Sequence, residues 1–119
     1  MIIVTPCPEG VAVMHPEMIS FAGQSSDEID AQIKTGVIGD GVAGALALAW
    51  AKIRQFATVC IVSDGIDRET AKKLGFEHYA TVNAALEDAF LRHGSDARVT
   101  ILPSGGDILP IIDGARSVG

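Results

Sequence analysis

The sequence predicts a single α/β domain: a mostly parallel four-stranded sheet with helices on both faces, three layers in all and Rossmann-like in plan. Three observations predict it. Short runs rich in β-branched residues, Ile2-Ile3-Val4, Val59-Cys60-Ile61-Val62 and Val99-Thr100-Ile101-Leu102, lack polar alternation and suit strands covered on both faces. Each run ends in a cluster of small and turn-forming residues: Thr5-Pro6-Cys7-Pro8-Glu9-Gly10, Ser63-Asp64-Gly65 and Pro103-Ser104-Gly105-Gly106-Asp107. Helical patterns lie between the runs, and strands alternating with helices argue for right-handed crossovers in a parallel sheet. Parallel strands would bring all three loops to the carboxyl edge, where open α/β sheets bind ligands.

The elements follow in chain order. After the first strand and a loose segment, Ser25-Ser26-Asp27-Glu28 offers a capping box. It opens a helix over 26–35, with Ile29 and Ile33 on one face and Gly36 as its stop. Asp40 is the expected N-cap of the next helix, which runs to about Gln55 with a core stripe of Val42, Leu46, Ala49, Trp50 and Ile53. Its other faces are small, Ala43, Gly44, Ala45, Ala47 and Ala51, which permits close approach, and Lys52 and Arg54 suit the negative end of its dipole. The second strand covers 58–62. Asp67 then caps a helix of about two turns ending at Gly75, and 78–81 reads as a short edge strand. Thr81 or Asn83 opens an amphipathic helix that turns Val82, Ala85, Leu86, Ala89 and Phe90 inward and ends at Gly94. Strand 98–102 is the last element, before an apolar stretch at 108–112, and the expected strand order is 3-2-1-4.

Composition sets the partners. At 119 residues the chain supports one real core. Fifteen acidic against nine basic residues leave a net charge of −6 with no basic stripe, which argues against a nucleic-acid partner. No apolar stretch approaches the roughly 20 residues of a membrane span. Residues 1–10 lack the basic start and long apolar run of a secretory signal. Cys7 lies in a Pro-rich turn and Cys60 inside a strand, settings that do not suggest a disulfide. The expectation is a cytoplasmic protein.

The candidate site residues are those of the carboxyl-edge loops together with His15: Thr5, Cys7, Glu9, Gly10, His15, Ser63, Asp64, Gly65, Ser104, Gly105, Gly106 and Asp107. Cys7, between two prolines at a strand end, is a candidate nucleophile with His15 as its base; the favoured alternative is a small half-buried residue in a stiff turn, with His15 at a helix start or on the surface. Glu9 ends that stiff loop and is either a positioned carboxylate or a solvated one. The glycines permit close approach, so these loops can offer amides to an anion; they also fit plain turns. Neither loop matches the phosphate-loop pattern with its Lys, and no GxGxxG follows the first strand. His15, His78 and His93 lie far apart with no partner at ligand spacing, so no metal is expected on this chain alone.

Taken in order, TPCPEG after the first strand, HPE at 15–17, the Ala-rich helix leading into VCIVSDGI, the AKKLGF turn and RVTILPSGGDILP resemble the carboxy-terminal domain of the nickel-dependent lactate racemase family. The resemblance spans about Ile2 to Pro110. It implies a two-domain enzyme that interconverts enantiomers of a small 2-hydroxy acid, using a nickel pincer nucleotide tethered to a lysine. The implied nickel ligand and acid–base histidines belong to an amino-terminal domain, and the glutamine and lysine of the carboxy-terminal domain would precede Met1. No catalytic residue therefore carries over, and the resemblance implies a domain that is inactive alone, binds no cofactor by itself and pairs with a missing amino-terminal catalytic domain. A homo-oligomer stays open. Two readings of other classes stand beside it: a stand-alone module that binds a small anion or nucleotide at the strand ends, and a thiol enzyme built on Cys7.

Overall fold

The structure is a computed structural model that describes residues 1–111 and 113. Three strands, β1 (Ile2–Val4), β2 (Cys60–Val62) and β3 (Glu77–Tyr79), form a parallel sheet in the order β1-β2-β3. Ile3 pairs with Ile61 and Ile61 with His78, so β2 is central and buried throughout while β1 and β3 are edges. The helices are α1 (Met18–Phe21), α2 (Ser26–Lys34), α3 (Gly41–Phe56), α4 (Arg68–Lys73) and α5 (Val82–His93). The parallel senses and the order of the first three strands match expectation.

Helix starts are set by local hydrogen bonding. Ser25 and Glu28 close the capping box of α2, Asp40 Oδ1 accepts from the amides of Val42 and Ala43, Asp67 caps α4, and Thr81 caps α5. These are the caps the sequence offers. The short helix α1 lies in the segment expected to be loose; Met18 and Phe21 drive it by burying against α3 and α4.

Alternation along β2 assigns the two faces of the sheet. Ile61 packs with Ile66 and with Ala71 of α4, whereas Cys60 shares the opposite face with Asp88 and Ala89 of α5. Helices therefore flank the sheet on both sides. Beyond α4, a larger core joins α1, α2 and α3 through Met18, Phe21, Ile29, Ile38, Ala43, Ala47 and Leu74. The indole of Trp50 meets the Phe76 ring edge-on at 5.0 Å.

One expectation is corrected and one is met only in part. The buried face of α3 is the small one, Ala43, Gly44, Ala47 and Ala51, while Val42, Leu46, Ala49 and Ile53 face outward and Trp50 is half-buried. Close packing decides this: a Cβ on Gly44 would lie 3.1 Å from Ile33 Cγ1, so α2 and α3 approach at a distance only small residues permit. In addition, Arg98–Leu102 is not a strand here; it runs unpaired and exposed after α5, leaving three strands among the described residues. No helix among the described residues is long and apolar enough to cross a membrane. Of the apolar stretch at 108–112, Ile112 lies outside the described residues.

Candidate functional site

The first two carboxyl-edge loops are fused. Beyond the paired strands, the Thr5 amide donates to the Val62 carbonyl at 3.1 Å, carrying the ladder one step further. The Pro6 carbonyl then accepts from the Gly65 amide at 3.1 Å and from Ser63 Oγ at 3.2 Å. The Cys7 carbonyl accepts from the Gly10 amide at 2.9 Å, closing a tight turn in which Cys7 has φ +38°. Pro6 and Pro8 supply fixed dihedrals on either side. The result is a stiff platform with Glu9 and Asp64 exposed on it and Cys7 half-buried against Ile61 and Ile66.

This arrangement changes what the loops can do. The Gly10 and Gly65 amides and the Ser63 hydroxyl are occupied inside the platform, so they are not the free donors that an anion cradle at these positions requires. The polar neighbour of Cys7 Sγ is Thr5 Oγ1 at 3.4 Å. His15 does not partner that thiol.

His15 belongs to a second cluster that the sequence reading divided among separate roles. Its Nδ1 lies 2.8 Å from Asp40 Oδ2. The Glu17 carboxylate accepts from the amides of Gly39 and Asp40 at 3.2 and 3.1 Å. Asp40 thus caps α3 with one oxygen and holds His15 with the other; the His15 hydrogen bond, followed by the Ala43 amide, lowers its carboxyl below the ordinary value. Helix α3 spans 16 residues and leads within four residues to the start of β2. Its C-terminus therefore lies at the amino edge, and its roughly 24 Å rise carries Asp40 and His15 back toward the carboxyl side. Nothing in the sequence signals this pair, because its members are 25 residues apart and each has a local reading.

The third loop is not with the other two. Ser104 has φ +54°, Gly105–Asp107 form a single 3-10 turn closed by the Asp107 amide on the Ser104 carbonyl, and the whole loop is exposed. It shares no hydrogen bond with Thr5–Gly10 or Ser63–Gly65 among the described residues. The cause lies upstream: the segment meant to deliver it to the sheet edge is unpaired.

At the amino side, Arg92 donates to Glu77 Oε2 and pairs with Asp88, and the single hydroxyl proton of Tyr79 is shared between the Asp88 and Glu77 carboxylates, pinning α5 to β3. The hydrogen bond to Asp88 comes first among the causes that push the phenol well above its ordinary value. Burial raises the Cys60 thiol. Both cysteines are free. His78 Nδ1, on β3, is buried without a hydrogen-bond partner.

No three His, Cys, Asp or Glu among the described residues are grouped to hold a metal ion. The described residues thus do not fit a nickel centre of their own. Compared with family models, curated proteins and solved structures, the chain finds no match in any of the three.

Proposed function

We propose that this chain is the carboxy-terminal domain of a lactate racemase-like enzyme acting on a small 2-hydroxy acid, forming one wall of an interdomain cleft and inactive alone. The observation that carries the reading is the rigid union of Thr5–Gly10 with Ser63–Gly65 at the carboxyl edge of a parallel sheet. Open α/β sheets use that edge for ligands, and a stiff, internally bonded platform suits a wall against which another domain positions substrate. Hydride transfer needs donor, acceptor and proton-transfer groups in one place. The platform holds no such set, so in this reading the amino-terminal domain contributes the nickel pincer nucleotide and the acid–base groups.

A second feature supports a partner. Val42, Leu46 and Ile53 of α3 form an outward apolar stripe, with Phe56 exposed at its end; contiguous apolar surface of this kind is usual at interfaces and uncommon on free-standing domains. The reading includes a cytoplasmic location and a four-stranded, Rossmann-like sheet with Arg98–Leu102 as its fourth strand.

Purification of the protein from its native source, followed by intact mass, metal analysis and a chiral assay on 2-hydroxy acids, tests the proposal. A species much heavier than 12.4 kDa that carries nickel and a covalent nucleotide and racemises a 2-hydroxy acid is expected. A native mass equal to this chain, with no racemisation, overturns it.

A further inference from the structure

Helix α3 is apolar on both of its faces. Ala43, Gly44, Ala47 and Ala51 are buried inside the chain, and on the opposite side Val42, Ala45, Leu46, Ala49, Ile53 and Phe56 stand exposed. On a helix these six positions fall within about 100° of arc, the width of a core-facing stripe. Phe56 at its end is 89% exposed. The other long surfaces are charged: Asp27 and Lys34 are exposed on α2, Arg68 and Glu69 on α4, Glu87 and Arg92 on α5. Helix α3 contains no carboxylate. Its two cations are Lys52, at the border of the stripe, and Arg54, whose guanidinium is turned inward to the carbonyls of Gln24 and Leu74. A helix that is apolar all round belongs inside a core, so the outward stripe is half of a core that one copy of the chain leaves open.

The stripe is complementary to itself. Set antiparallel about a two-fold axis at Ala49, two copies of α3 bring Ala49 onto its own counterpart, Ala45 onto Ile53, Val42 onto Phe56, and Leu46 under the aliphatic stem of Lys52. Small residues at the middle let the helix axes approach to about 8 Å, and the larger side chains fill the space toward each end. The antiparallel sense also sets the positive end of each helix dipole beside the negative end of the other. Each copy carries a net charge of −6, which repels a second copy, and a helix without carboxylates is where two copies meet at least electrostatic cost. The six side chains offer on the order of 500 Å² per copy, so that a pair buries about 1,000 Å², the lower limit for a specific interface. The chain's own apolar segment after α5 starts from the far side of the sheet: α5 packs on the Cys60 face, whereas α3 lies on the Ile61 side through Trp50 and Phe76.

We infer that α3 pairs with α3 of a second copy of this chain in an isologous, antiparallel dimer centred on Ala49. The helical periodicity that names Val42, Leu46, Ala49 and Ile53 as core and their exposure in a single copy then describe one surface, a core shared by two chains. An interface at the lower limit of size is weak, so the chain is a monomer at low micromolar concentration and a dimer at hundreds of micromolar. The stripe shares no residue with the Thr5–Gly10 and Ser63–Gly65 platform. The inference rests on the proposed function only in taking the stripe as a partner surface; it does not depend on the reaction.

Sedimentation equilibrium of the 119-residue chain from about 10 to about 500 µM tests the dimer, with Ala49→Glu and Ala49→Cys as variants. Ala49 is exposed in the single copy, so glutamate is tolerated there, whereas at the axis two carboxylates meet. Expected are a monomer–dimer equilibrium in the parent chain, a monomer throughout the range in Ala49→Glu with unchanged helical circular dichroism, and air oxidation of Ala49→Cys to a dimer linked through position 49 with Cys7 and Cys60 still free. Only a two-fold axis through that position sets the two sulfurs within bonding distance. A parent chain that stays monomeric up to the highest concentration overturns the inference and returns the stripe to the amino-terminal domain. So does a dimer that persists in Ala49→Glu, or one in which Ala49→Cys fails to cross-link through position 49. Each of these failures leaves the mass and racemisation test of the domain's function untouched.

Discussion

The carbonyl oxygen of Cys7 lies where a side chain on Gly65 would begin: a Cβ built on Gly65 would sit 1.6 Å from it. That contact welds the loop after β1 to the loop after β2. It makes Gly65 a requirement of space, and the two loops one body.

Gly65→Ala should therefore separate the loops. The backbone of Cys7 has to move, at an expected cost of about 3 kcal/mol. Urea unfolding should show a lower midpoint with an unchanged slope, and Cys7 should become more reactive to alkylation as its turn opens.

The outward and inward faces of α3 should respond oppositely to size. Ala47→Leu places three extra carbons in a fully buried site and should destabilise by about 1–3 kcal/mol. Leu46→Ala on the outward face should change stability by less than about 0.5 kcal/mol in the chain alone. Thermal unfolding of the two variants checks the assignment.

Acid should loosen the helix starts together. Asp40, Asp67 and Glu28 all titrate below their ordinary values of 3.8, 3.8 and 4.5, held down first by His15, by the Thr70 amide and by the Ser25 amide respectively. A carboxylate whose folded pKa is depressed stabilises the fold fully above its unfolded value and loses that contribution as pH falls through the folded one. Stability followed by denaturant unfolding should fall as pH drops below about 4.5, with a shallower decline in Asp40→Asn, which keeps a capping oxygen and loses the charge.

Tyr79 is the single tyrosine, so the ultraviolet difference signal of phenol ionisation reports it alone. Its phenol is raised because the hydrogen bond to Asp88, burial and the hydrogen bond to Glu77 favour the protonated form. The sign is opposite to that of the caps: the stabilisation is complete below the unfolded value near 10 and fades as pH rises toward the folded one. Ionisation should accompany alkaline unfolding in the parent chain and move to lower pH in Asp88→Asn.

Much of the local architecture was legible. The Ser25–Glu28 box, the Asp40 and Asp67 caps and the Thr81 alternative each depend on a side chain and an amide within three residues, so the sequence carries both partners side by side. The β-branched runs at Ile2 and Cys60 announced strands for a similar reason, but only β2 is buried throughout. Less could be read where two faces of one helix were both apolar: periodicity named the larger residues of α3 as core, and packing chose the smaller ones. The site divided in the same way. Thr5–Gly10 and Ser63–Gly65 were recognisable as loops at one edge, but the Pro6 and Cys7 carbonyls that bind them together are backbone atoms with no signature in composition.

The amino-acid order by itself determined the parallel strands, the helix caps and the turns, because hydrogen-bond reach and side-chain periodicity act over a few residues. Only the tertiary structure decided that His15 answers to Asp40 instead of Cys7 and that α3 buries its alanines. Each of those outcomes is a competition among distant surfaces, settled by close packing and by which backbone groups find partners.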